Sequence, residues 1–214
     1  MNPMQKLLRF RACLLAALAL LPTYAAHAQA RGAVEHVKVT EGQMLYEIIG
    51  QVINFTPSTS TQFGYYTYIK GVDSLFAAGP QNETTAAFMF FRETSNVRVI
   101  NNGVQRIISR TGTTTMYLNA TPGGSFANPN SFRAGSPIQT STLRQQVIVN
   151  TATQTFTVVN EDTITSTRSF LLNGQTYELG KVGDLFVTTK AGVLNTPGSL
   201  PTGWFAGYSV GAKK

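Results

Sequence analysis

Side chains that could do chemistry are few in this chain, so their positions matter more than their number. Two histidines, His27 and His36, and one cysteine, Cys13, are the whole stock of soft metal ligands and strong nucleophiles. A Ser-His-acid hydrolase needs a histidine that packing can orient. His36 instead lies near the start of the chain, in a segment expected to be partly frayed, and reads as a surface residue on a tail. No Gly-x-Ser-x-Gly elbow occurs at a strand-to-helix turn. A lone histidine cannot build a zinc or copper site. Calcium needs several oxygens from one loop, whereas the adjacent acids Glu161 and Asp162 fall inside a predicted strand, where neighbours point to opposite faces. Gly123-Gly124 is not followed by a helix, which excludes a phosphate loop. The sequence therefore predicts neither metal nor cofactor.

Carboxylates, tyrosines and arginines remain for acid–base work. Glu47, Glu93, Glu161 and Glu178 fall in predicted strands, as do Tyr65, Tyr66, Tyr68, Tyr117, Tyr177 and Tyr208. Arg92, Arg98, Arg106, Arg110, Arg144 and Arg168 lie at or near strands. A glutamate facing a closed apolar lumen beside a tyrosine or arginine would have a shifted pKa and could transfer protons. Alternating Arg and Glu on a sheet more often form a solvated outer face with cross-strand pairs, and that is the expectation here. A register error of one residue would reverse the assignment.

The first thirty residues divide into a basic zone (Lys6, Arg9, Arg11), an apolar run from Ala12 to Leu21, and small residues after Pro22. Ala26-His27-Ala28 fits a small-x-small cleavage site, with Ala28-Gln29-Ala30 as an overlapping fit. This is the form of a secretory signal peptide, and its apolar run is well short of the ~20 residues a membrane-spanning helix needs. Residues 1–28 are expected to be removed and the rest exported to the periplasm or beyond. Cleavage would take Cys13 and His27 with it, leaving no disulfide. It would also lower the net charge from +7 to +4, because three basic and no acidic residues leave. So small a surplus predicts no nucleic-acid partner, and no later segment is apolar for long enough to form a transmembrane helix. Residues 29–43 read as an N-terminal extension and 44–214 as one domain.

The elements that must position these side chains are strands. Thr, Val, Ile, Tyr and Phe alternate with polar residues in short runs bounded by Gly, Pro, Asn and Asp. Strands are predicted at about 44–55, 62–71 (Phe63, Tyr65, Thr67 and Ile69 on one face), 86–95, 97–100, 104–110, 113–119, 140–150, 154–166, 170–172, 176–179, 185–189 and 204–210. Asn101-Asn102-Gly103, Thr151-Ala152-Thr153 and Asn173-Gly174 mark hairpins. Three connections exceed turns: 72–85, where Leu75-Phe76-Ala77-Ala78 could form a helical turn; 120–137, with Phe126 and Phe132; and 192–203. Long loops with aromatic residues often overhang a binding mouth, while Phe126 and Phe132 would equally serve to pin a surface loop to the sheet.

These twelve short segments, taken as roughly nine to eleven strands in consecutive hairpins, with an apolar-on-both-faces run at Phe88–Phe91, predict an all-β, antiparallel up-and-down barrel rather than a β-sandwich. The layout resembles the calycin (lipocalin) and allene-oxide-cyclase barrels. The chain lacks the Gly-x-Trp that lipocalins carry near the first strand, and its sole tryptophan, Trp204, lies in the last, so the resemblance carries over no residue. Such a barrel is expected to bind a small apolar or amphipathic ligand through Tyr65, Tyr68, Phe88, Phe90, Tyr117 and Trp204. The competing expectations are a cofactor-independent isomerase or cyclase, which requires a lumen glutamate, and an outer-membrane barrel or structural protein.

Overall fold

Period-two alternation gives the chain one face per strand to bury, and closing the sheet on itself buries all of them at once. The computed structural model describes residues 33–54 and 56–213; the proposed signal peptide lies outside them. Among the described residues eleven strands form: β1 Glu35–Val37, β2 Met44–Ile53, β3 Thr59–Ile69, β4 Phe88–Asn102, β5 Gln105–Leu118, β6 Ser136–Asn150, β7 Thr155–Thr167, β8 Phe170–Leu172, β9 Gln175–Leu179, β10 Leu185–Leu194 and β11 Gly203–Ala212. Eight of them close an antiparallel barrel in the order β10-β11-β2-β3-β4-β5-β6-β7, while β1, β9 and β8 form a separate three-stranded sheet.

This small sheet is the hairpin inserted between β7 and β10, plus the start of the chain. His36, expected on a frayed tail, is in fact strand-paired: β1 runs parallel to β9, with His36 opposite Glu178 and its Nδ1 3.8 Å from Glu178 Oε2. The sheet packs across one end of the barrel. Phe170 meets Phe88 edge-on at 5.6 Å, and Gln139 Nε2 donates to the Leu179 carbonyl at 2.8 Å. At the opposite end lie the β2–β3 turn, the β4–β5 and β6–β7 hairpins, and the connection from Asn195 to Thr202.

Several predicted breaks are absent. Thr111-Gly112 runs straight through β5, because Gly112 lets Thr94 and the Glu93 carbonyl approach where a Cβ would collide with them. The predicted strands 86–95 and 97–100 are one strand with a register shift between Asn96 and Arg98. Leu75-Phe76-Ala77-Ala78 forms no helical turn; Phe76 instead bridges to Ala86. The face expected for Phe63, Tyr65, Thr67 and Ile69 is split by a bulge. Glu47 pairs with Tyr68 but Ile48 pairs with Tyr66, so Thr67 is the extra residue. Phe63 and Tyr65 point outward, while Ile69 turns in beside Tyr46.

The connection containing Phe126 and Phe132 lies against the flank of the barrel. A 3₁₀ helix, Pro129–Arg133, places Phe132 at full burial. Its ring is 5.3 Å from Phe63 and 5.0 Å from Phe126. With Tyr65, Met89 and Phe91 they form a second core outside the barrel wall. This is why β4 is apolar on both faces. Each such aromatic taken out of water contributes roughly 1.5–3 kcal/mol.

Candidate functional site

Along the closed axis the lumen changes character in layers. Next to the small sheet it is aromatic: Tyr46 packs edge-on to Tyr66 and Phe186, at 5.3 and 5.5 Å, and Tyr66 to Phe90 at 5.7 Å. Burial drives both tyrosine hydroxyls well above the ordinary phenol range. They therefore stay protonated, and the Tyr46 hydroxyl accepts from Gln139 Nε2 at 3.1 Å.

Above the aromatics sits a polar layer drawn from β4, β5, β7 and β10. Phe88, Phe90 and Arg92 alternate inward on β4, Phe186, Thr188 and Lys190 on β10, and Val158, Asn160, Asp162 and Ile164 on β7. Arg92 Nε donates to Thr114 Oγ1 at 2.7 Å, and Thr114 Oγ1 donates to Asp162 Oδ1 at 3.1 Å. Thr188 Oγ1 reaches the other Asp162 oxygen at 3.4 Å. Asp162 is completely buried, and burial raises its pKa, opposed by Arg92, Lys190 and the two hydroxyls. Among the described residues no cation comes within 4.0 Å of it.

A lattice of amides spans the lumen one step further out. Gln62 Nε2 donates to Gln145 Oε1 at 3.1 Å, and Gln145 Nε2 donates to Asn160 Oδ1 at 2.9 Å. Lys190 Nζ donates to Gln62 Oε1 at 2.6 Å and lies 4.5 Å from the centre of the Phe205 ring. The room for the lysine comes from Gly207 on the adjacent strand. A Cβ there would run into the Thr189 carbonyl and stand 2.7 Å from Lys190 Cγ. Burial pushes the Lys190 ammonium well below its ordinary pKa, helped by the nearby Arg92 charge and opposed by Asp162.

This lattice is the floor of a cavity of about 480 Å³ that opens at the barrel end away from the small sheet. Val52, Ile108, Val147, Val149, Phe156, Val158 and Phe205 make its walls, and the Asn195–Thr202 connection borders its mouth. Arg106 and Arg110 enter from β5. Arg110 Nε donates to Asn96 Oδ1 at 2.9 Å, and burial with the neighbouring Arg106 charge lowers its pKa to about 10. It is still cationic at neutral pH. The volume falls within the ~300–1,000 Å³ typical of small-molecule pockets.

The residues expected to hold a ligand are dispersed. Phe88 and Phe90 face the lumen, but in the packed aromatic layer below the floor. Tyr65 and Tyr117 lie on the outer wall under the Phe126–Phe132 segment, and Tyr68 is exposed beside Glu47. Trp204 also faces outward, its ring 4.9 Å from Phe126. None of the six lines the cavity. No glutamate enters the lumen either: Glu47, Glu93 and Glu161 are exposed, and Glu178 is on β9. Arg144 stands opposite Glu161 on the outer wall, as expected of a solvated face. Arg92 and Arg110, by contrast, point inward and are buried.

Sequence reasoning did not single out Lys190, Asp162, Gln62 or Gln145 as site residues. A signal was present: each falls in phase with apolar or small neighbours two residues away, as in Phe186-x-Thr188-x-Lys190. A polar side chain on a buried face must find partners inside.

Fold and site together define a closed eight-stranded barrel with a plugged end, a charged polar midsection and an apolar-walled cavity at the open end. No protein-family model, curated protein or solved structure matches this chain.

Proposed function

We propose that this chain is an exported binding protein that holds one small apolar or amphipathic molecule in the open end of its barrel. The observation that carries the reading is the cavity of about 480 Å³, walled by valine, isoleucine and phenylalanine and floored by cross-lumen amides. Interiors of barrels this size are commonly filled by side chains or hold one small ligand. Here the end beside the small sheet is filled and the other is open. The outer wall supports a barrel in water rather than in lipid. Thr111, Arg144, Gln146 and Glu161 face outward and exposed in mid-strand, where a membrane barrel needs an apolar band.

Native mass spectrometry of the protein purified from its own cells tests this, together with titration of a neutral apolar fluorophore, N-phenyl-1-naphthylamine. The expected results are a co-purifying small molecule and saturable one-to-one binding. A chain that arrives empty and leaves the fluorophore unbound would overturn the reading. Export is tested separately by N-terminal sequencing of the protein recovered outside the cytoplasm, which should begin at Gln29.

A further inference from the structure

The charge around the cavity is unbalanced. Lys190, Arg106 and Arg110 line it, and among the described residues no carboxylate does. Asp162, the buried acid among the described residues, lies beneath the amide floor with its oxygens held by Thr114 and Thr188. Among the described residues none of these three basic side chains meets a carboxylate within 4.0 Å. Lys190 has the Gln62 carbonyl oxygen at 2.6 Å and the Phe205 ring. Arg110 has Asn96 and, at 3.4 Å, Asn54. Among the described residues Arg106 Nε is buried without a hydrogen-bond partner, and so is Nδ2 of Asn160 in the amide lattice.

Buried donors without partners and cations without counter-charges are costly, and a structure that retains several around one cavity is suited to an anion. The floor amides are largely spent on one another: Gln62 Nε2 on Gln145, and Gln145 Nε2 on Asn160 and Gln62. The free donors thus suit one singly charged, two-oxygen group rather than a phosphate that needs many. The remaining walls are apolar. Resting on the reading that the cavity holds a small ligand, we infer that this ligand is a carboxylic acid with an apolar tail. Its carboxylate lodges between Lys190 and Arg110, and its tail lies along Val147, Val149, Phe156 and Val158 toward the mouth.

Isothermal titration of the purified protein with decanoate, 1-decanol and decylamine at neutral pH separates the head group from the tail. Decanoate is expected to bind about tenfold or more tighter than the alcohol, since a hydrogen bond to a charged group is roughly twice as strong as a neutral one, and the amine most weakly. Lys190→Met and, independently, Arg110→Gln should bring decanoate affinity down to that of the alcohol. The circular dichroism and urea midpoints of both variants, read without ligand, show that they are folded. If the alcohol or amine binds as tightly as decanoate, the anion inference fails while the binding reading stands. If decanoate affinity survives both substitutions, the assigned head-group site is wrong. If none of the three binds, both readings fall.

Discussion

Lys190 Nζ and Gln62 Oε1 meet across the barrel lumen at 2.6 Å, joining β10 to β3 through its centre rather than around its wall. Gln62 Oε1 also accepts from Arg92 and Gln145, at 3.4 and 3.3 Å. The amide is therefore not orphaned when the lysine is removed.

That arrangement sets the pH behaviour of Lys190→Met. Arg92 on β4, Arg110 on β5 and Asp162 on β7 are the charged groups that act on Lys190. Its folded pKa is lowered well below 10.5, so the folded protein holds fewer protons there than the unfolded chain at pH values between the two. Wild-type stability is penalised below the folded pKa, and the penalty lifts as pH rises toward 10.5. Lys190→Met is expected to be neutral to ~2 kcal/mol stabilising at pH 7, with wild type gaining on it by pH 10. Urea midpoints at the two pH values measure this, and a difference that is constant with pH would contradict it.

Gly207→Ala should be destabilising by about 1–3 kcal/mol or more, because the new Cβ meets the Thr189 carbonyl and the Lys190 backbone, neither of which can yield. By displacing the lysine stem it should also weaken decanoate binding more than decanol binding. Denaturation and calorimetry on the same variant check both effects.

Val147→Phe fills the cavity from a wall position that makes no polar contact. Stability should stay within about 1.5 kcal/mol of wild type, since the ring enters empty space rather than a packed core. Binding of neutral and anionic ligands should fall together by at least about tenfold. Retained affinity would place the ligand elsewhere.

Phe132→Ala removes a fully buried ring from the outer core and should cost about 3–5 kcal/mol. Phe126 loses its neighbour at 5.0 Å, and with it the contact that shields Trp204. The single tryptophan's emission should shift to the red, while affinity at the cavity, which this segment does not line, stays unchanged. An unshifted emission spectrum would show that the loop is held by other contacts.

Much of this barrel was legible along the chain. Hairpins at Gly103, Thr151–Thr153 and Asn173-Gly174 follow from local turn chemistry, and the opposite orientations of Glu161 and Asp162 follow from the period of two. The site was less legible, for a reason β4 and β3 make concrete. Alternation fixes which residues share a face, but not which face is inside. At β4 both faces are apolar, because Phe126 and Phe132, from a segment more than thirty residues away, cover the outer one. At β3 one bulged residue, Thr67, reverses the assignment beyond it.

By itself, then, the sequence determined most of the strands, the antiparallel pairing of consecutive ones, and side-chain parity as far as each bulge, because those depend on neighbours a few residues apart. Only the tertiary structure decided that Arg92, Arg110, Asp162 and Lys190 face inward, that Gln62 and Gln145 meet across the lumen, and that one end is plugged while the other stays open. Those outcomes depend on closure, on bulges and on a covering loop. They bring together groups as far apart in the chain as Gln62 and Lys190, whose contact no local pattern encodes.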